Sequence, residues 1–443
     1  MTGAASLFGK PIASHTTPGG MRLSALERGE VPLVSARLLI HVGSSADPKG
    51  KEGTADFVAR LLRRGTKARS ADALDEAIEF VGAGIHAFAS EDYLSVSMTT
   101  PAEHLKPLLQ VLAELVMSPS FPAREFADAK ARALAQLAHD LDDPGVLAER
   151  ALMRAVWGQH PYAFDAGGTH RSLSRLQRAD VVGFHRQHFG PETATLHLVG
   201  ALSPDVLLST AVSAFAKWRS GTAKPVRAKA VVAPVAGGEV WLVDRPDQTQ
   251  AQIRIAGSGY ARGDSDAVAA QVMSTALGGC FTSRLVQAIR VKRGLSYSAS
   301  SGFDPMAAGG SFHVSTFTKT ETVPEAITVA LEEVTALREK GAGDEELARA
   351  KRYLAGVFAL RTESNDALAS AWADLDFHRQ DLDWLNTYAE RVSATTRADI
   401  ARATNRFLFP SPPAIVVVGQ AKALAGALGR FGRVVQMPAR KVA

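Results

Sequence analysis

RADVVGFHRQHFGPETATLHLVG, residues 178–200, and RADIARATNRFLFPSPPAIVVVG, residues 397–419, are the two stretches that decide the fold. Each opens on Arg-Ala-Asp and an aliphatic residue (Val181, Ile400), continues as a helical pattern, and closes on an apolar strand ending in glycine (Gly200, Gly419). The offset is 219 positions at both ends. Self-similarity at a fixed spacing marks a repeated structural unit. Upstream, Ala127-Asp128-Ala129-Lys130 answers Ala348-Arg349-Ala350-Lys351 at 221 positions, and GIHAFAS (84–90) answers GLSYSAS (294–300) at 210. Four-residue coincidences are common in an alanine-rich chain, but a shared order at a nearly constant offset is not. The sequence reads as two copies of one unit.

Each copy predicts a strand (Leu33–Val42; Gln250–Ala256), a helix (Ala55–Arg64; Asp266–Leu277) and a second helix (Ala71–Val81; Ser283–Arg293). A strand pair follows (Ile85–Ala89 with Tyr93–Met98; Leu295–Ala299 with Ser311–Phe317). Then come a helix (Ala102–Met117; Pro324–Arg338), a longer helical region, and the Arg-Ala-Asp helix with its closing strand. Hairpin-like strand pairs interspersed with helices predict an α+β fold: two tandem homologous domains, each a mainly antiparallel sheet with helices packed on one face. RSGTAKPVRAKAVVAPVAGG (219–238), rich in Gly, Pro, Ala and basic residues, reads as a linker. The expected division is 1–225, a linker at 226–240, and 241–443.

At 443 residues, with 46% apolar and 21% charged residues, the chain has the composition of a soluble globular protein too long for one ordinary core. Its net charge of +5 is spread along the sequence. The one dense basic cluster, RLLRRGTKAR (60–69), reads as a solvated helix end, and no nucleic-acid partner is expected. No run approaches the roughly 20 apolar residues of a membrane-spanning helix, so no membrane association is expected. The single cysteine, Cys280 in LGGCFTSRL, excludes an intramolecular disulfide and a multi-cysteine metal site, and reads as a small buried filler. The first 20 residues lack a basic segment followed by an apolar run. A periplasmic protein whose signal has been removed is expected, with the cytoplasm as the alternative.

The chemistry concentrates in FTSRLVQAIRVKRGLSYSAS, residues 281–300. Leu285, Val286, Ala288 and Ile289 fit one buried helical face, Gly294 breaks the helix, and Leu295 to Ser300 alternates like a strand. Arg290 and Tyr297 therefore flank a helix-to-strand turn. A guanidinium that keeps its proton and a phenol that donates a hydrogen bond suit a carbonyl oxygen gaining negative charge. The plainer reading of these two residues is a solvated arginine and a strand tyrosine. His185 and His188 have the i,i+3 spacing of a metal pair, but Thr404 and Phe407 stand 219 positions on, and ordinary helix-end histidines fit better. His160, before Pro161, reads as ordering a turn, and His86 as a strand residue. Neither a GxSxG elbow nor a phosphate-binding GxxxxGK[ST] is present. Gly278-Gly279 and Gly309-Gly310 read as loop glycines, and Asp142-Asp143 as a turn before Pro144.

The strand and small-residue turn of HVGSSADPKGKEG (41–53), the helix GTADFVARLLRRGT (53–66), and then PxxEF, DDP, HPY and a Gly-Thr before a helix resemble the pitrilysin and insulysin family of inverted-motif zinc metallopeptidases. The likeness is closest to the bacterial and mitochondrial-processing-peptidase-like members, and runs from about Pro18 onward. In catalytic members the resemblance implies His-x-x-Glu-His on the first helix, for zinc and a general base, and a later glutamate as a further ligand. Aligned on RRGT, this chain has Asp56, Ala59 and Arg60 at the three helix positions and Gln136 at the later one. Alanine cannot take a proton, a guanidinium repels a divalent cation, and an amide is a poor substitute for carboxylate. This chain is therefore expected to bind no metal. The family's second-domain arginine and, seven residues on, its tyrosine match Arg290 and Tyr297, for which the resemblance implies binding of substrate backbone near the scissile carbonyl. It implies a zinc-free subunit of a heterodimeric peptidase acting on peptides, whose homologous partner carries zinc on an intact His-x-x-Glu-His. A non-catalytic scaffold resembling the core proteins of the respiratory cytochrome bc complex is the alternative.

Overall fold

The computed structural model describes residues 6–29, 31–219, 221, 223–230 and 236–442. Residues 231–235 of the expected linker and the first five residues of the chain lie outside that set. Where apolar residues alternate with polar ones or run continuously between turns, the chain forms strands. In the first half these are β1 (Ser6–Leu7), β2 (Lys10–Thr16), β3 (Arg22–Glu27), β4 (Leu33–Ile40), β5 (Gly84–Ala89), β6 (Leu94–Pro101) and β7 (Ala194–Gly200). The helices between them are α1 (Thr54–Leu61), α2 (Ala71–Glu79), α3 (Leu105–Met117), α4 (Ala123–Asp140), α5 (Pro144–Trp157), α6 (His170–Arg175), α7 (Arg178–His188) and α8 (Pro204–Phe215). The second half supplies β8 (Glu239–Asp244), β9 (Gln250–Ser258), β10 (Ala299–Met306), β11 (Gly309–Lys319), β12 (Ala414–Gly419) and β13 (Arg433–Pro438). Its helices are α9 (Ala267–Ser274), α10 (Val323–Lys340), α11 (Asp344–Arg361), α12 (Asn365–Phe377), α13 (Asp383–Ala394), α14 (Arg397–Phe407) and α15 (Ala421–Leu428).

The strands form a seven-stranded sheet, β1-β2-β3-β7-β4-β6-β5, and a six-stranded sheet, β10-β11-β9-β12-β8-β13. Taken from β5, the first sheet runs β5-β6-β4-β7-β3, and the second runs β10-β11-β9-β12-β8, which is the same order in the duplicated numbering. β3 is parallel to β7 and β8 to β12, so the parallel pair is duplicated too. The copies diverge beyond it: the next strand is the antiparallel β2 in one sheet and the C-terminal, parallel β13 in the other.

The repeated residues do the same work twice. Asp180 accepts from the Gln177 backbone N–H at 2.7 Å, and Asp399 from that of Thr396 at 2.9 Å, each capping the start of its Arg-Ala-Asp helix. Lys130 donates to the carbonyls of Ser174 and Leu176, while Lys351 donates to those of Ser393 and Thr395. Each lysine thus ties its helix to the segment leading into the capped one. The match of GIHAFAS to GLSYSAS does not survive: the first begins edge strand β5, whereas Gly294 has φ +62° and closes a helical turn.

By packing, the chain falls into two units that are not contiguous in sequence, which differs from the expected division at 1–225, 226–240 and 241–443. One comprises residues up to Ala135, Asp165–Ala228 and Ala359–Thr387; the other comprises Gln136–Phe164, Lys229–Phe358 and Tyr388 onward. Each unit takes a helix from the other half of the sequence. The cause lies in the central strands, which are buried on both faces. In β4, Leu39 packs with Ala373 and Phe377 of α12, and Arg37 donates to Asp366 of α12 at 3.0 Å. In the second unit Arg254 of β9 pairs with Glu149 of α5 at 2.5 Å. Arg37 and Arg254 are each only 8% exposed, and a buried guanidinium needs an acidic partner. The fold class is the expected α+β duplication, with one exchanged helix per unit as the addition.

Candidate functional site

Arg290 lies on the second of two π-helical turns in the second unit, and Tyr297 in the bend that follows it. α9 widens into the turn Thr275–Gly279, and residues Val286–Lys292 form the second. A wider turn of this kind recurs at functional positions because it aims side chains that a regular helix would place elsewhere. Gly278 is required by close approach: a Cβ there would lie 2.4 Å from the Ser301 nitrogen. The Ser274 and Ser301 hydroxyls, 3.2 Å apart, hold the same contact, and the Ser283 N–H closes a short turn onto Cys280 O at 3.1 Å. Phe281 projects from that turn and is 64% exposed. Cys280 is half-buried rather than enclosed as expected.

The second turn ends as Gly294 N–H donates to Arg290 O at 3.1 Å and Leu295 N–H to Ile289 O at 2.9 Å. The strand begins at Ala299 instead of the expected Leu295. The physical reason is on β11, where the Thr318 and Thr316 hydroxyls donate to the carbonyls of Leu295 (2.6 Å) and Ser298 (2.8 Å). Tyr297 consequently sits in a bend and is 75% exposed. The Arg290 Cζ lies 4.3 Å from the Tyr297 ring centroid and 4.7 Å from that of Phe281. Among the described residues none accepts a hydrogen bond from the Arg290 guanidinium or pairs with the Tyr297 hydroxyl. A cation held over aromatic rings rather than by an acceptor keeps hydrogen-bond donors for an incoming group. Phe281 is the residue that sequence reasoning missed.

The positions aligned with the zinc motif lie on α1 in the first unit, and they satisfy one another. Asp56 and Arg60 form an i,i+4 ion pair, and Ala59 is 3% exposed. Burial pushes the Asp56 carboxyl up, with Arg60 opposing. α1 is capped by Asp47, which accepts from Gly53 N–H at 2.7 Å and Ala55 N–H at 2.9 Å; burial pushes its carboxyl up to about 7. Gln136 belongs to the second unit, where its amide donates to Asp140 at 2.7 Å. An ion-paired aspartate, a methyl group, a guanidinium and an engaged amide do not fit zinc. Among the described residues no group of three or more His, Cys, Asp or Glu could hold a metal ion. His185 bonds Val116 O at 2.8 Å and packs on Phe121 and Phe189, and burial pushes it down to about 4. His188 lies buried against Phe184. His160 Nδ1 accepts from Tyr162 N–H at 3.2 Å, and His86 is an exposed residue of β5.

A duplicated α+β fold and a first-unit helix without metal ligands at the motif positions define the class: a metallopeptidase-like chain lacking the zinc motif. The family models agree. Residues 24–169 match "Insulinase (Peptidase family M16)" and residues 175–354 match "Peptidase M16 inactive domain". An uncharacterized zinc protease of Streptomyces coelicolor is 27% identical over 93% of this chain and 90% of its own length. One of Mycobacterium tuberculosis is 27% identical over 80% of this chain and 81% of its own length. A solved peptidase M16 inactive domain from Pseudomonas fluorescens superposes with a TM-score of 0.87 at 27% identity, covering 92% of this chain and 98% of that one. A protease from Helicobacter pylori shares the fold, with a TM-score of 0.83 at 20% identity over 92% of this chain and 99% of that one. The chain belongs to peptidase family M16, the pitrilysin and insulinase family, and lacks the family's zinc motif.

Proposed function

We propose that this chain is the zinc-free subunit of a heterodimeric metallopeptidase that hydrolyses peptides. It would contribute Arg290 and Tyr297 to an active site whose zinc, His-x-x-Glu-His helix and general base belong to a homologous partner. The observation that carries the reading is a contrast. On α1 the charges at the motif positions neutralise each other, whereas the Arg290 guanidinium lies over two rings with no acceptor of its own among the described residues. Such a guanidinium can donate to a substrate carbonyl, and the exposed Tyr297 hydroxyl can donate a second bond. Donors aligned before the oxygen gains charge lower the barrier without reorganising. The substrate is an extended peptide, bound by addition of a strand to a sheet edge. The isolated chain is inactive, and the pair works in the periplasm, with the cytoplasm as the alternative.

A second reading, a non-catalytic scaffold, is favoured by the inactive-domain model that matches residues 175–354. It makes Arg290 and Tyr297 dispensable. The two readings separate when the chain is produced alone and with a homologous chain bearing an intact motif, with zinc analysis of each and peptide cleavage by each alone and together. The expected result is zinc in the partner only and cleavage by the mixture only. Zinc retained by this chain would overturn the first reading, and no gain on mixing would favour the scaffold.

A further inference from the structure

We infer that Phe281 is the positioning residue of the Arg290 site: its ring, with that of Tyr297, holds the guanidinium so that the N–H edge is presented to a peptide carbonyl. The inference rests on the reading that Arg290 binds substrate. An arginine on a flexible stem needs a restraint before it can act as an aligned donor. An ion pair would supply one, but it would occupy the donors. An aromatic ring restrains the cation through its face and accepts nothing from the in-plane N–H groups. Tyr297 carries a donor of its own, which leaves Phe281 as the member whose contribution to the cluster is the stack alone. Its placement is built rather than incidental. Residues 280–283 form a turn between two π-helical segments, anchored by the Gly278 approach to Ser301. That turn holds a large apolar ring 64% exposed, 4.7 Å from the Arg290 Cζ. The exposure also means that substitution removes little from the core.

The test uses the full chain and a fluorescein-labelled unstructured peptide, with affinities of the wild type, Phe281→Ala, Phe281→Leu, Phe281→Trp, Arg290→Ala and the Phe281→Ala/Arg290→Ala pair. Phe281→Ala and Phe281→Leu are expected to weaken binding by roughly 3- to 10-fold, the scale of an exposed cation–π contact. Phe281→Trp should bind within about twofold of wild type, because a ring is restored. If Phe281 acts through Arg290, its replacement costs nothing further once Arg290 is gone. An undiminished loss in the Arg290→Ala background would show that the ring touches peptide itself, and would overturn the positioning role. In parallel, the Arg290 Nε–H proton resonance should move on Phe281→Ala as a ring-current shift is lost; an unmoved resonance denies the stack in solution. Arg290→Ala weakening binding while Phe281→Ala does not would defeat this inference alone. Wild type that binds no peptide, or Arg290→Ala that binds as tightly, would defeat the reading beneath it.

Discussion

Arg60 stands where the resembling zinc peptidases carry a second imidazole, and its guanidinium neutralises Asp56 as a metal ion would. The Asp56 side chain is only 15% exposed and its carboxyl is pushed up by burial, so it depends on that neighbour. Arg60→Ala is expected to cost about 1–2 kcal/mol at pH 7, the scale of leaving a buried polar group unpaired. A carboxyl whose folded pKa lies above its unfolded value contributes stability that is lost as pH rises, and removing Arg60 raises the folded value further. The deficit of Arg60→Ala should therefore shrink as pH is lowered, and adding Asp56→Asn should recover part of it at pH 7. Urea midpoints of the three chains at two pH values check both statements. At this scale Arg290 and Tyr297 were legible as types at a seven-residue spacing. Phe281 was not: it lies in the turn ahead of the helix, nine positions from Arg290, and the π turn Val286–Lys292 that carries Arg290 departs from the phase a regular helical template assumes.

Among the elements, the Thr275–Gly279 turn is the most sharply testable. Gly278→Ala would place a Cβ 2.4 Å from the backbone nitrogen of Ser301, where no flexible side chain can give way. A loss of about 3 kcal/mol or more is expected, with the Arg290 stack disrupted. Gly429→Ala meets nothing within 4 Å and should change the unfolding midpoint little. Equal midpoints for the two variants would contradict the packing described. Strands β4, β5, β6, β7, β9, β11 and β12 were legible as alternating or continuous apolar runs, whereas β1, β2, β3, β8 and β13 were not. Nor was the role of α12. Leu368, Ala369, Trp372, Ala373, Leu375 and Phe377 are all buried, and a helix covered over so much of its surface gives no indication of which sheet it serves. Arg37 could have prompted the question, since a charged residue amid the apolar run of β4 requires a partner from elsewhere.

For the whole molecule, the exchange of helices means that the halves of the sequence are not the units that fold. A fragment of residues 1–225 lacks α12, leaving Arg37 without Asp366 and Leu39 without Ala373 and Phe377. It is expected to be expanded and aggregation-prone alone, and to gain a cooperative unfolding transition when co-expressed with residues 226–443. A sharp transition in the isolated fragment would contradict the exchange. The first unit also carries a pH dependence. His185 is pushed down to about 4 by burial, so its contribution to stability is fully present above the unfolded value of 6.5 and is lost as pH falls toward 4. His185→Gln keeps a donor for the Val116 carbonyl without the titration. The wild type should therefore lose stability relative to that variant between pH 7 and pH 4.5, and a constant difference would remove the neutral buried imidazole as the cause.

The central claim is that this chain lends an arginine to chemistry performed on another chain's metal. Its most direct test is peptide turnover by the reconstituted pair carrying Arg290→Ala, with bound zinc measured in the same preparation. The account predicts turnover lowered by about 10²- to 10³-fold, the scale of one lost oxyanion donor, with zinc content unchanged. Turnover equal to that of the wild-type pair would contradict it.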